Sequence, residues 1–168
     1  MEKLKFELED GTTVNISFSV SGNLSRYGEF SISFNAYDKA LKVNPDYAYV
    51  LNNYAYFLSQ EGRKMKKAQE MSRRAVQVEP DNAHSLDTYG WILYLQGKLN
   101  EAKIQFKKAM LYGGKESAVI LDHYAEVLYA LKEYDLAFIY WNMALQNNDG
   151  DIPGLRDKIL ERKRKIEK

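Results

Sequence analysis

The feature that most constrains this chain is an internal period. Tyr54, Tyr89 and Tyr124 are spaced by 35 residues and again by 35. The residue after each is small (Ala55, Gly90, Ala125), and the fourth residue after each is Leu58, Leu93 or Leu128. A second set follows in step: Ala68, Ala102 and Ala137, and seven residues beyond them Ala75, Ala109 and Ala144. Ala40 extends this last series backwards, and Pro45 and Pro80 repeat at the same interval. Self-similarity at 20 to 50 residues marks a stacked array, whose single unit cannot bury its own apolar face.

A unit of this length accommodates two antiparallel helices of about 13 residues each with two short turns. The recurring small residues let helices approach closely, and Tyr54, Leu58, Phe106 and Trp141 fill the space between them. Gly62 and Gly97 stand where a first helix stops and accept a left-handed backbone. Pro45 and Pro80 follow second helices, which a residue without an amide donor cannot prolong.

The order Tyr89-Gly90, Leu93, Gly97, Ala102, Phe106, Ala109 resembles the tetratricopeptide repeat pattern of aromatic, Leu-Gly, Tyr, Ala, Phe, Ala and Pro. The resemblance covers about residues 15 to 150, and the wording of Leu51-Asn52-Asn53-Tyr54-Ala55-Tyr56 and Leu86-Asp87-Thr88-Tyr89-Gly90-Trp91 is similar to arrays in larger bacterial repeat proteins. It implies an all-α fold of antiparallel helix pairs stacked as a right-handed superhelix. One domain is expected over 1–168: a divergent lead-in at 1–13, a degenerate repeat at 14–46, repeats at 47–82, 83–117 and 118–150, and a capping helix at 151–168.

The helices are expected at 47–60 with 64–78, 83–96 with 99–111, and 118–131 with 134–147, with 30–43 as the second helix of the degenerate unit. In the last helix, Leu155, Ile159 and Ile166 are expected to cover the end of the stack, with Arg162 to Lys165 in water. The segment 3–20 supports two readings. Leu4, Phe6 and Leu8, then Val14, Ile16, Phe18 and Val20, alternate with polar residues around Asp10-Gly11, which is the pattern of a β-hairpin. Read as part of the array, Ile16, Val20, Leu24 and Tyr27 form a helical stripe, and the helix at 30–43 needs a partner. The helix over 14–27 is favoured, with 3–9 as a frayed or extended lead-in.

Composition narrows the chemistry. Twenty-four Lys and Arg against twenty-three Asp and Glu give a net charge of +1, so no long-range field draws nucleic acid or a membrane. Cysteine is absent, which removes disulfides and thiolate metal sites. No phosphate-binding glycine loop, nucleophile elbow or paired-His zinc motif occurs, so neither catalysis nor a cofactor is expected. His84, Asp87, Asp122 and His123 fall near one face, and are read as groove polarity rather than as a metal site. The basic cluster Arg63, Lys64, Lys66, Lys67, Arg73 and Arg74 lacks an interleaved aromatic platform and is read as a solvated helix face, not as a nucleic-acid site.

The start Met1-Glu2-Lys3-Leu4-Lys5 has no apolar core of a signal peptide, and no stretch is long enough to span a bilayer. A cytoplasmic location without membrane insertion is therefore expected. A cell-envelope location is the alternative if the chain is the tail of a longer exported array.

The family resemblance implies that the first helix of each pair lines a concave surface that binds an extended or helical peptide. Carried onto this chain, it selects Tyr49, Asn52, Asn53, Tyr56 and Ser59 from one helix. The next contributes His84, Asp87, Thr88, Trp91 and Tyr94, and the third Val119, Asp122, His123, Glu126 and Tyr129. Aromatic rings of this kind dominate binding energy at interfaces; for Trp91, packing between helices is the competing role. Family members that hold acidic C-terminal tails use Lys and Arg on this face. Asn53 matches one residue of that clamp, but His84 and Thr88 stand in the basic positions. Asp87, Asp122 and Glu126 instead give an acidic groove that favours a neutral or basic segment. The expected function is a non-catalytic protein-protein interaction scaffold; the alternative is a structural, self-associating segment of a larger repeat protein.

Overall fold

The computed structural model describes residues 2–7, 13–20, 30–31, 34–62, 64–148 and 152–167. Three strands come first: β1 (Glu2–Glu7), β2 (Thr13–Val20) and β3 (Phe30–Ser31). Among the described residues eight α-helices follow: α1 (Phe34–Val43), α2 (Ala48–Gln60), α3 (Met65–Val78), α4 (Ala83–Leu95), α5 (Leu99–Leu111), α6 (Ala118–Ala130), α7 (Tyr134–Asn147) and α8 (Leu155–Ile166). A short 3₁₀ turn at Gly114–Glu116 precedes α6.

From α2 onward the helices pair as the period requires, α2 with α3, α4 with α5 and α6 with α7, to give an all-α tetratricopeptide-type array. The recurring residues are its core. Ala68, Ala75, Ala102, Ala109, Ala137 and Ala144 are completely buried, as are Leu93, Leu128, Phe106 and Trp141. Gly90 is needed for close approach: a Cβ there would lie 2.8 Å from Cε2 of Phe106. The Phe106 ring is in turn stacked on Tyr124, with centroids 5.7 Å apart. Burial pushes the Tyr124 hydroxyl up to about 12, with smaller contributions from Tyr140 and Glu133.

Helix ends follow local chemistry. Asn82 Oδ1 accepts from the amides of His84 and Ser85 at 3.0 and 3.1 Å, satisfying two donors at the start of α4. Ser117 Oγ accepts from the Ile120 amide at the start of α6. Gly62 and Gly97 take the expected left-handed conformation, with φ of +63° and +75°. In the third unit the same place is held by Lys132 at φ +63°, where Lys132 N donates to Tyr129 O and Glu133 N to Leu128 O. The paired bonds match those of Gly97 and Lys98 to Tyr94 and Leu93, so the backbone motif is preserved without glycine.

The opening of the chain corrects the favoured reading. Residues 14–20 form a strand rather than the start of a helix over 14–27, and residues 30–31 form a strand rather than the first turn of a helix over 30–43. β1 and β2 pair antiparallel with Leu4 opposite Ile16 and Phe6 opposite Val14. β3 adds to β2 with Val20 opposite Phe30. The physical reason is the strict alternation of Val14, Ile16, Phe18 and Val20 with Asn and Ser, a period of two that a helix cannot place on one face. Local β preference therefore prevailed over the demand of α1 for a helical partner. The remainder of the degenerate first helix, including Leu24 and Tyr27, lies outside the described residues, as does Arg63.

Three residues of the basic cluster have specific partners. Lys67 Nζ donates to Tyr54 Oη at 2.8 Å and reaches Asp38 at 3.3 Å. Arg73 pairs with Glu70, and Arg74 bonds Asp46 and the carbonyl of Pro45. Among the described residues no helix is long and apolar enough to cross a membrane.

A concave groove across the first helices

The helices α2, α4 and α6 stand side by side, and a groove of about 780 Å³ runs across them. Its walls include Tyr49, Asn52, Asn53 and Tyr56 from α2, His84, Asp87 and Thr88 from α4, and Val119, Asp122 and His123 from α6. Glu79, Asn82 and Ile152 complete it from the connections between helices. Sequence reasoning missed these three because it followed helix positions only. Asn82 carried a usable signal as the capping residue of α4, whereas Ile152 carried none.

Trp91, Tyr94, Glu126 and Tyr129 do not line this groove. They lie further along α4 and α6, where α8 covers the same face. Glu126 Oε2 accepts from Arg162 at 2.8 Å, and Glu126 Oε1 lies 3.2 Å from Lys158 Nζ. Tyr129 donates its hydroxyl proton to the Arg162 carbonyl at 3.2 Å, with the Arg162 guanidinium 5.0 Å from the ring centroid. Arg162 is thus an anchor of α8 to α6, not one of a row of water-facing cations. Ile166, at 37% exposure, leaves the covering of the array's end to Leu155 and Ile159.

The acidic character read for the groove is offset in the same way: Asp87 and Asp122, which line it, and Glu126 beside it each have a partner one unit on, while Glu79 accepts from the Asn82 amide. Asp87 Oδ1 lies 2.7 Å from Nδ1 of His123. Asp122 accepts from Nε1 of Trp141 at 2.8 Å and also from Lys158 Nζ. The sequence separation in the inter-helix pairs Asp87–His123, Asp122–Lys158 and Glu126–Arg162 is 36 residues, one unit plus one position. A reading along single helices cannot see partners that arrive from the neighbouring unit.

His123 is the best-defined titratable group on this face. Its burial opposes protonation, but Asp87 by charge and hydrogen bond, and Asp122 by charge, outweigh both that and the opposing Lys158. The imidazole pKa is therefore raised above its ordinary value. The ring also stacks on Trp91, with centroids 4.1 Å apart and planes 17° from parallel, and Trp91 stacks on Tyr94 at 4.7 Å. Trp91 thus packs between helices in a fixed aromatic wall. By contrast, Tyr49 is 52% and Tyr56 40% exposed at the other side of the groove. Between them Asn52 and Asn53 line the groove, and Asn52 Oδ1 is buried and accepts no hydrogen bond from any described residue. Thr88 is buried, Ser59 donates to the Tyr56 carbonyl at 2.6 Å, and His84 is exposed. Among the described residues, no group of three His, Asp or Glu side chains is arranged to hold a metal ion.

Comparison with known proteins places the chain among helical repeats. A family profile described as Tetratricopeptide repeat matches residues 36–69. The crystal structure of YrrB, a "TPR protein with an unusual peptide-binding site", is 26% identical with a TM-score of 0.61. That similarity covers 69% of this chain and 59% of YrrB, so the chain spans well under two thirds of that protein. The crystal structure of MamA is 20% identical over 79% of this chain and 88% of that one, with a TM-score of 0.62. The first TPR of Spaghetti (RPAP3), bound to the HSP90 peptide SRMEEVD, is 12% identical over 72% of this chain and 94% of that one, with a TM-score of 0.63. The last two show the fold alone. No curated protein sequence matches the chain.

Proposed function

We propose that this tetratricopeptide repeat array is a non-catalytic protein-interaction scaffold that binds a peptide or a partner segment in the groove across α2, α4 and α6. Tetratricopeptide proteins are in general interaction scaffolds rather than enzymes, and the similar YrrB structure is described by its peptide-binding site. The observation that carries the reading is the asymmetry of the groove. On one wall Asp87 and His123 are held together by their hydrogen bond, and the His123 ring is backed by the stacked Trp91 and Tyr94, so little freedom remains to be lost on binding. The other offers the half-exposed rings of Tyr49 and Tyr56 beside the amides of Asn52 and Asn53. Amide side chains both donate and accept, which suits them to the alternating N–H and C=O of a peptide backbone. Asp87 and Asp122 already have partners, whereas Glu79 accepts from the Asn82 amide alone among the described residues, so the groove suits a neutral or weakly basic segment. An acidic C-terminal tail fits poorly, since exposed His84 and buried Thr88 supply no fixed cation.

The test is an affinity capture from lysate of the source cell, comparing the native chain with a Tyr49→Ala/Tyr56→Ala variant shown by circular dichroism to be folded. A partner held by the native chain and lost by the folded variant supports the groove. A partner held equally by both moves the site elsewhere and refutes it. Concentration-dependent sedimentation addresses the competing role as a self-associating segment, which requires a population larger than the monomer.

A further inference from the structure

The helix α8 occupies the place of a first helix. It joins α6 through Asp122–Lys158 and Glu126–Arg162 at the sequence interval by which α6 joins α4 through Asp87–His123. In the three preceding units the second helix covers one face of its first helix. That face is Leu51, Ala55 and Leu58 on α2; Leu86, Gly90 and Leu93 on α4; Leu121, Ala125 and Leu128 on α6. The side chains on all three faces are buried. A further step of 35 residues gives Arg156, Leu160 and Lys163 on α8. All three are exposed, Leu160 at 47%.

At this face a groove of about 430 Å³ opens between α7 and α8. Its apolar floor is Phe138 and Leu145 from α7 with Ile159 and Leu160 from α8, and Arg156 and Lys163 stand on its rim. The two rim cations differ from Lys158, Arg162 and Lys165 of the same helix. Lys158, Arg162 and Lys165 each pair with a carboxylate, whereas Arg156 and Lys163 pair with none among the described residues. Leu160 also replaces the small residue that permits close packing in the other units, so whatever lies here stands further out than a second helix of the array does.

We propose that the groove between α7 and α8 is a second interaction surface, and that its occupant is an acidic amphipathic helix supplied by another protein. The shape follows from the three preceding units, in each of which this face of the first helix is covered by a helix. The charge follows from the two unpaired cations at positions where the covered units carry leucine. Apolar residues at i, i+3, i+4 and i+7 of the incoming helix would meet Phe138, Leu145, Ile159 and Leu160. Its flanking carboxylates would meet Arg156 and Lys163. This surface is distinct from the concave groove and does not depend on the function proposed for it.

The experiment uses the full chain and a synthetic helix-forming peptide of about five turns, with leucine at the spacing above and glutamate beside it. A control peptide carries lysine in place of each glutamate. Binding is followed by fluorescence anisotropy, and the footprint by amide chemical shifts. The glutamate peptide is expected to saturate with shifts on α7 and α8. The double variant Arg156→Glu/Lys163→Glu, altered only at exposed positions, should weaken it at least tenfold and reverse the preference towards the lysine peptide. Tyr49→Ala/Tyr56→Ala should leave the affinity unchanged, which separates this site from the concave groove. Absence of saturable binding, equal binding of both peptides, or a footprint on α2 and α4 would overturn the proposal. So would a dimer of the chain itself that Leu160→Glu dissolves, because the occupant would then be a second copy.

Discussion

Asp122 offers the sharpest quantitative test of how the third unit is held together. Its carboxylate is only 7% exposed as a residue, accepts from Nε1 of the fully buried Trp141 at 2.8 Å, and pairs with Lys158. Asp122→Ala removes both partners at once. The Trp141 N–H is then left buried without an acceptor, which costs about 1–3 kcal/mol. The ion pair adds less than about 1 kcal/mol, because the Lys158 side chain is about one-third exposed and keeps Glu126 as a partner. The total is a loss of about 1–4 kcal/mol. Asp122→Asn keeps an oxygen for the indole and loses only the charge, so it should cost under about 1.5 kcal/mol. Urea unfolding followed by circular dichroism reads both, provided that the dependence on urea keeps its slope. If the alanine variant costs no more than the asparagine variant, the indole bond contributes nothing and the reasoning is wrong.

Two other perturbations follow from the same structure. The raised pKa of His123 means that its pairing with Asp87 stabilises the fold fully below the ordinary histidine value of 6.5 and is lost as pH rises through the folded-state value. His123→Gln should therefore cost more stability at about pH 5.5 than at about pH 8.5, and a cost independent of pH in thermal melts would refute the assignment. Gly90→Ala gains about 1 kcal/mol of helix propensity. It also drives a Cβ to 2.8 Å from a Phe106 ring that Tyr124 holds in place, an overpacking cost of about 1–3 kcal/mol. A net loss of up to about 2 kcal/mol is expected, and Phe106→Leu in the Gly90→Ala background should recover part of it by opening room for the methyl.

The array was legible because its determinants are local and repeated. Alanine, glycine and aromatic residues recur at the positions where helices touch, so the period alone places α2 to α7, and the glycine caps mark where two first helices end. Lys132 shows the limit of that signal: backbone hydrogen bonds to Tyr129 and Leu128 stabilise a left-handed residue that its side chain does not announce. At the start of the chain two valid signals conflicted. The alternation in Val14 to Val20 is a nearest-neighbour property and was decisive, whereas the need to cover α1 could be met by more than one kind of element.

By itself, then, the sequence determined the fold of the repeats, since that depends on intervals along the chain, while the family resemblance implied which helices face the concave side. Tertiary structure alone decided the electrostatics of that face. Asp87, Asp122 and Glu126 read as an acidic groove when taken helix by helix, yet each meets an imidazole, ammonium or guanidinium group 36 residues on. Stacking brings that group into reach, because a salt bridge acts over a few ångströms of space and is indifferent to the distance along the chain. The same stacking divided the expected site. It left Tyr49 and Tyr56 exposed over the groove and placed Tyr129 beneath Arg162 of α8.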